Sequence, residues 1–202
     1  VTMPAEPSAP PVGGPSGAPL AGLVLAAGAG RRFGGPKALA RDPDGVAWVA
    51  RAVGALRDGG CDPVVVVLGA ASDDAARLVP PGAIVTIADA WSEGVSASLR
   101  AGLDAVARTA ASAVVVVPVD TPDLPAAAVR RLAARVGADA AVLASAEYAG
   151  VPGHPVVIGR DHWVALAAAV RGDVGARPYL RAHGALAVEC GDLWSGADQD
   201  VR

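Results

Sequence analysis

The sequence of 202 residues has few aromatics (3%), only two cysteines, little net charge (−3) and almost no lysine. Each shortage excludes something. With 52% hydrophobic residues and so few rings, Ala, Val and Leu must fill the core. A slight acidic excess makes no electrostatic case for nucleic acid or an anionic membrane as a partner. No apolar run reaches the roughly 18 residues that a membrane-crossing helix needs. Cys61 and Cys190 fit no metal-binding spacing and are expected as buried thiols in a reducing, cytoplasmic interior. The shortage of lysine is the most telling. Of 17 basic residues, 16 are arginine and one is Lys37, which falls in a glycine-rich loop. Lysine is a compact point charge on a slender stem, and arginine is not interchangeable with it at close quarters.

Residues 1–19 are rich in Pro, Gly, Ser and Ala. They cannot bury enough surface to offset their ordering entropy, so a disordered tail is expected. The tail lacks the cationic start and apolar centre of a secretory signal. Residues 20–202 are expected to form one domain. Strands are expected at 22–27, 63–68, 83–88 and 113–119, with further candidates at 138–144, 155–158 and 185–189. Helices are expected at 46–58, 72–78, 95–108, 125–136, 161–170 and 176–183. Val-rich strands apolar on both faces, alternating with helices, imply a single α/β domain with a mostly parallel sheet covered on both sides. Ligands bind such sheets at the carboxyl ends of the strands.

The first strand runs into Leu25-Ala26-Ala27-Gly28-Ala29-Gly30-Arg31-Arg32-Phe33-Gly34-Gly35-Pro36-Lys37. Glycines let backbone N–H groups approach an anion, and the cations can neutralise phosphates. The glycine spacing also matches a variant of the dinucleotide-binding turn. Two features oppose that reading. Gly34-Gly35-Pro36 interrupts the place where a helix should start, and no acid stands at the tip of the second strand.

Residues 25–37 match the pattern L-A-A-G-x-G-x-R-x-G-x-P-K. Downstream stand Trp91-Ser92-Glu93-Gly94 with Ser96 and Ser98, then Val119-Asp120-Thr121-Pro122. Gly150-Val151-Pro152-Gly153-His154-Pro155-Val156 and Gly172-Asp173-Val174-Gly175-Ala176-Arg177 follow. Five motifs in this order resemble the nucleotidyltransferases of molybdenum cofactor, which have a nucleotide-diphospho-sugar transferase-like fold. Ala26-Ala27 and Pro36 resemble the cytidylyltransferase branch. The resemblance implies transfer of CMP from CTP to molybdopterin bound to molybdenum, release of pyrophosphate, a Mg²⁺ cofactor and a molybdoenzyme receiving the product. It implies catalytic roles for Lys37, Arg32 and Asp120, with Asp120 as metal ligand. Leu25, Ala26, Ala27, Gly28, Gly30, Lys37 and Asp89 would bind the nucleotide, and His154 and Arg177 would line the pterin side.

Each residue also has a plainer reading. Asp120 before Thr-Pro is a turn former, and Lys37 and Arg32 are surface cations. His154 satisfies a local backbone group. Asp173 and Arg177, four apart, form an ordinary helical ion pair. Trp91 fills core or closes over the nucleotide, Arg31 is solvated, and His162 and His183 are surface residues. One departure stands out. The family's C-terminal D-x-D-T-P-x-D stretch reads Asp192-Leu193-Trp194-Ser195-Gly196-Ala197-Asp198 here, with Trp194 in place of the second acid. Metal binding would then rest on Asp120, supported by Asp192 or Asp198. The alternatives are a transferase using GTP or another phosphorylated acceptor, a non-catalytic nucleotide- or cofactor-binding protein, and a protein like those named nicotine blue oxidoreductase.

Overall fold

The computed structural model describes residues 19–200, so all of the expected tail except Pro19 lies outside the described residues. Seven strands form one sheet in the order β3-β2-β1-β4-β6-β5-β7. They are β1 (Leu20–Ala26), β2 (Val64–Leu68), β3 (Ile84–Ile87), β4 (Ala113–Pro118), β5 (Leu143–Tyr148), β6 (Val151–Gly159) and β7 (Leu186–Glu189). The helices are α1 (Trp48–Asp58), α2 (Ser72–Ala76), α3 (Val95–Ala107), α4 (Ala126–Val136), α5 (Trp163–Ala169) and α6 (Arg177–Ala182). No helix among the described residues is long and apolar enough to cross a membrane.

Side chains alternate across a strand, and this period sorts the core into two layers. Val24, Val66, Val115 and Val117 face Val49, Leu56, Val129 and Leu132 of α1 and α4. Their neighbours Leu23, Val65, Val67, Val114 and Val116 face Leu99, Leu103 and Val106 of α3 and Leu166 of α5. Burial on both sides is why β2 and β4 are runs of valine and β1 is apolar throughout. β1 pairs in parallel with β2 on one side and β4 on the other. The order of connection reverses between β1 and β4, so a crevice opens at their carboxyl ends.

The C-terminal half departs from that plan. β6 runs antiparallel to β4 and β5, and β7 returns parallel to β5. The strand expected at 138–144 is displaced to Leu143–Tyr148. Asp139 Oδ1 accepts from the Ala141 N–H at 2.9 Å, and this local turn withholds the backbone from the sheet. β5 and β6 form a hairpin through Ala149 and Gly150, both at positive φ, as a tight turn between twisted strands requires. The motif at 150–156 is therefore one arm of a hairpin. The helix expected at 72–78 ends at Ala76.

Candidate active site

The crevice holds a cavity of about 1060 Å³. Its lining includes the glycine loop, Lys37, Asp120 and Asp200, together with Gly153, His154, Arg177 and Arg181. The loop closes on itself. Gly30 sits at φ +58, and its carbonyl accepts from the N–H groups of Phe33, Gly34 and Gly35 at 3.0–3.1 Å. A Cβ on Gly30 would lie 1.9 Å from the Gly35 carbonyl oxygen, so only glycine permits this closure. The chain then enters a three-residue 3-10 turn, Lys37–Leu39, rather than a helix. That turn aims Lys37 at the crevice.

Lys37 Nζ donates to Asp120 Oδ2 at 2.9 Å and to Asp200 Oδ1 at 2.8 Å. Burial opposes its charge, but the two carboxylates outweigh burial and hold its pKa above the ordinary 10.5. The same hydrogen bond from Lys37 holds the Asp200 carboxyl below its ordinary range. Arg32 is largely solvated and lies 3.8 Å from Asp200. Asp120 ends the β4 segment in a turn that Thr121 closes by donating to the Pro118 carbonyl at 2.9 Å. It is both a turn residue and a cleft carboxylate.

Asp120, Asp198 and Asp200 each place one carboxylate oxygen within 4.8 Å of the others. The C-terminal segment brings the second and third acids as a strap. Gln199 N–H donates to the Asp120 carbonyl at 2.8 Å, and Gln199 Nε2 donates to Asp123 Oδ2 at 3.0 Å. In an extended segment, residues i and i+2 face the same side. Asp198 and Asp200, on either side of Gln199, both bring a carboxylate close to Asp120, and Asp200 lines the cavity. Asp192 goes elsewhere, onto the exposed Arg131, whose Nη2 donates to its Oδ2 at 2.8 Å. The acids that come close to Asp120 are thus Asp198 and Asp200, not Asp192. Sequence reading missed Asp200, although Asp-Gln-Asp in an extended tail was the signal.

The remaining residues sort as follows. Leu25, Ala27, Gly28, Gly30 and Trp91 line the cavity, and Arg31 and Arg32 stand at its exposed rim. Ala26 is buried beneath the loop, and Asp89 is exposed; neither is on the cavity wall. His154 Nδ1 lies 3.3 Å from the Val116 carbonyl, so Nδ1 is the donor and Nε2 is left as an acceptor. Burial lowers its pKa below the ordinary 6.5, which keeps the ring neutral at pH 7. Asp173 lies in a turn before α6, not on it, and Arg177 donates to the Pro152 carbonyl at 3.2 Å. The helical ion pair expected between them gives way to this link from α6 to the hairpin. His162 and His183 pack around Tyr179, with the Tyr179 and His183 rings stacked at 3.9 Å.

Residues 22–187 match the MobA-like NTP transferase domain. The chain belongs to this family. It is a nucleotidyltransferase on a mostly parallel α/β sheet. It is 39% identical over 194 residues to the nicotine blue oxidoreductase of Paenarthrobacter nicotinovorans, covering 90% of this chain and 92% of that one. It is 34% identical over 149 residues to the molybdenum cofactor guanylyltransferase of Rhodobacter capsulatus, covering 72% and 66%. A crystal structure of an Rv0371c homologue from Mycobacterium sp. strain JC1 superposes with a TM-score of 0.75 at 30% identity, over 90% of both chains. Rv0371c of Mycobacterium tuberculosis in complex with manganese gives 0.67 at 27% identity, over 85% and 89%.

Proposed function

We propose that the chain transfers CMP from CTP to the terminal phosphate of molybdenum cofactor, with Mg²⁺ at the three carboxylates. The observation that carries this reading is the meeting of Lys37 with Asp120 and Asp200 where the closed glycine loop opens into the cavity. In the transfer, an acceptor phosphate oxygen attacks the α-phosphorus and the bond to the β-phosphate breaks, releasing pyrophosphate. The attacking group is already an anion, so no general base is needed. The barrier lies in bringing anions together and in charge building on the leaving group.

The chain's own groups fit those tasks. Three carboxylate oxygens are hard donors of the kind that Mg²⁺ and Mn²⁺ take, and the relative Rv0371c has been crystallised with manganese. When bound, the divalent ion supplies charge neutralisation at the phosphates. Lys37 and Arg32 hold the triphosphate, and the loop backbone packs against it. Leu25, Ala27 and Gly28 flank the nucleotide, and the Ala26-Ala27 pair and Pro36 favour CTP. The cavity, about 1060 Å³, lies just above the roughly 300–1000 Å³ of single-ligand pockets, which suits two substrates. His154, neutral and with Nε2 able to accept, and Arg177 flank the acceptor.

A second reading, reduction with a nicotinamide cofactor, has the resemblance to nicotine blue oxidoreductase in its favour. The loop ending in a 3-10 turn, without a helix N-terminus for a pyrophosphate, counts against it. The test is to incubate the protein with molybdenum cofactor, Mg²⁺ and CTP, GTP or ATP, and to measure pyrophosphate; a parallel arm follows NAD(P)H consumption. Release with CTP above GTP is expected. Release only with GTP reassigns the nucleotide, and NAD(P)H consumption without pyrophosphate overturns transfer altogether.

A further inference from the structure

The strap that carries Asp198 and Asp200 has two anchors, and only one lies in the crevice. Upstream, Leu193 and Trp194 donate backbone N–H bonds to the Cys190 carbonyl, turning the chain after β7. Trp194 then packs edge-on against Tyr148, with ring centroids 5.4 Å apart. Gly196, at φ +77, passes so close to the same ring that a Cβ there would lie 2.4 Å from Tyr148 Cδ2. Tyr148 cannot yield easily. It is buried, and its hydroxyl donates to the His154 carbonyl at 2.6 Å. One ring at the end of β5 thus touches the strap two residues before Asp198 and also holds the backbone of His154.

We propose that Tyr148, with Trp194 and Gly196 packed on it, is a positioning residue that sets where Asp198 and Asp200 land and so sets the chain's affinity for a divalent cation. The inference rests on the metal site proposed above and goes beyond it. The carboxylates reach Asp120 from a terminal segment with no regular secondary structure, so their placement depends on where the strap is pinned. Gln199 fixes its far end on the Asp120 carbonyl and Asp123. The tyrosine ring fixes the near end.

The experiment is a titration of the metal-free protein with Mn²⁺ alone, reading free Mn²⁺ by electron paramagnetic resonance, with no nucleotide present. Gly196→Ala forces the strap off the ring and is expected to weaken Mn²⁺ binding about ten-fold, the usual cost of disturbing a ligand's support. Trp194→Ala is expected to do the same, and Trp194→Phe to restore most of it. Tyr148→Phe keeps the ring and is expected to bind Mn²⁺ close to wild type. Circular dichroism melts check that each variant is folded, and Gly196 lies outside every strand and helix. If Asp120→Ala abolishes Mn²⁺ binding but Gly196→Ala and Trp194→Ala bind like wild type, the positioning role is overturned and the metal site stands. If Asp120→Ala itself binds Mn²⁺ like wild type, the metal site and the inference both fall.

Discussion

The strap delivers carboxylates to two cations of different kinds, Asp192 to Arg131 and Asp200 to Lys37. Arg131 meets Asp192 fork to fork through both terminal nitrogens, at an exposed position. A planar guanidinium matched to a carboxylate occupies both oxygens and leaves little for another ligand. Lys37 is shared instead: one hydrogen bond goes to Asp120 and one to Asp200. A point charge takes one oxygen of each carboxylate; the second oxygen of Asp200 has the exposed Arg32 3.8 Å away. This gives a physical reason for a lysine at this place in a chain that uses arginine elsewhere. In the proposed site, such a cation neutralises the carboxylates without saturating them.

Four experiments bear on that contrast. The largest effect is expected from Asp120→Ala, which removes the acid common to Lys37 and the strap. Pyrophosphate release should fall at least about a hundred-fold, since metal-assisted charge stabilisation is worth several kcal/mol; near-normal turnover would dissolve the cleft cluster as a working unit. Next comes Lys37→Arg, which preserves charge. If a fork saturates the carboxylates, turnover should drop about ten-fold or more and the Mn²⁺ requirement should rise. Full activity of Lys37→Arg would show that the kind of cation does not matter.

Asp200→Asn tests the strap contact through pH. Lys37 holds the Asp200 carboxyl below its ordinary 3.8, so that contribution is complete above 3.8 and is lost as pH falls through the lowered value. The Lys37 pKa is raised, so its share is complete below 10.5 and is lost as pH rises through the raised value. Between about pH 5 and pH 9 the contact should be constant, and Asp200→Asn should lower the melting temperature by a small, even amount across that window. A pH-dependent difference inside it would place another titrating group in the contact. The smallest effect belongs to Asp192→Ala. An exposed pair contributes little. Turnover and Mn²⁺ affinity should be unchanged and the melting temperature only marginally lower, whereas a loss of Mn²⁺ binding would move the metal site toward Arg131.

Legibility in the sequence followed the range over which each feature is encoded. β2 and β4 could be read from their valine runs, and β1 from its Leu-Val-Leu run, because burial on both faces is written into consecutive residues. The glycine loop was legible for a similar reason, since its closure depends on residues 30 to 35 alone. β5 was misplaced because Asp139 holds a turn that apolar content cannot reveal. The expected pair of Asp173 and Arg177 assumed a helix that begins only at Arg177. The strap was the largest omission. Matching a spacing near the C-terminus named Asp192 or Asp198 as the supporting acid and passed over Asp200, whereas Asp198 and Asp200 together are the acids that reach Asp120.

The sequence by itself determined the α/β alternation, the loop after the first strand and a lysine in it, because strand period and glycine closure are local. Only the tertiary structure decided which acids meet that lysine. Asp120 and Asp200 lie 83 and 163 positions from Lys37 along the chain. Their meeting depends on β1 and β4 being neighbours in the sheet and on a tail pinned against Tyr148. Neither the sheet order nor the tail's path is encoded in any short stretch of residues.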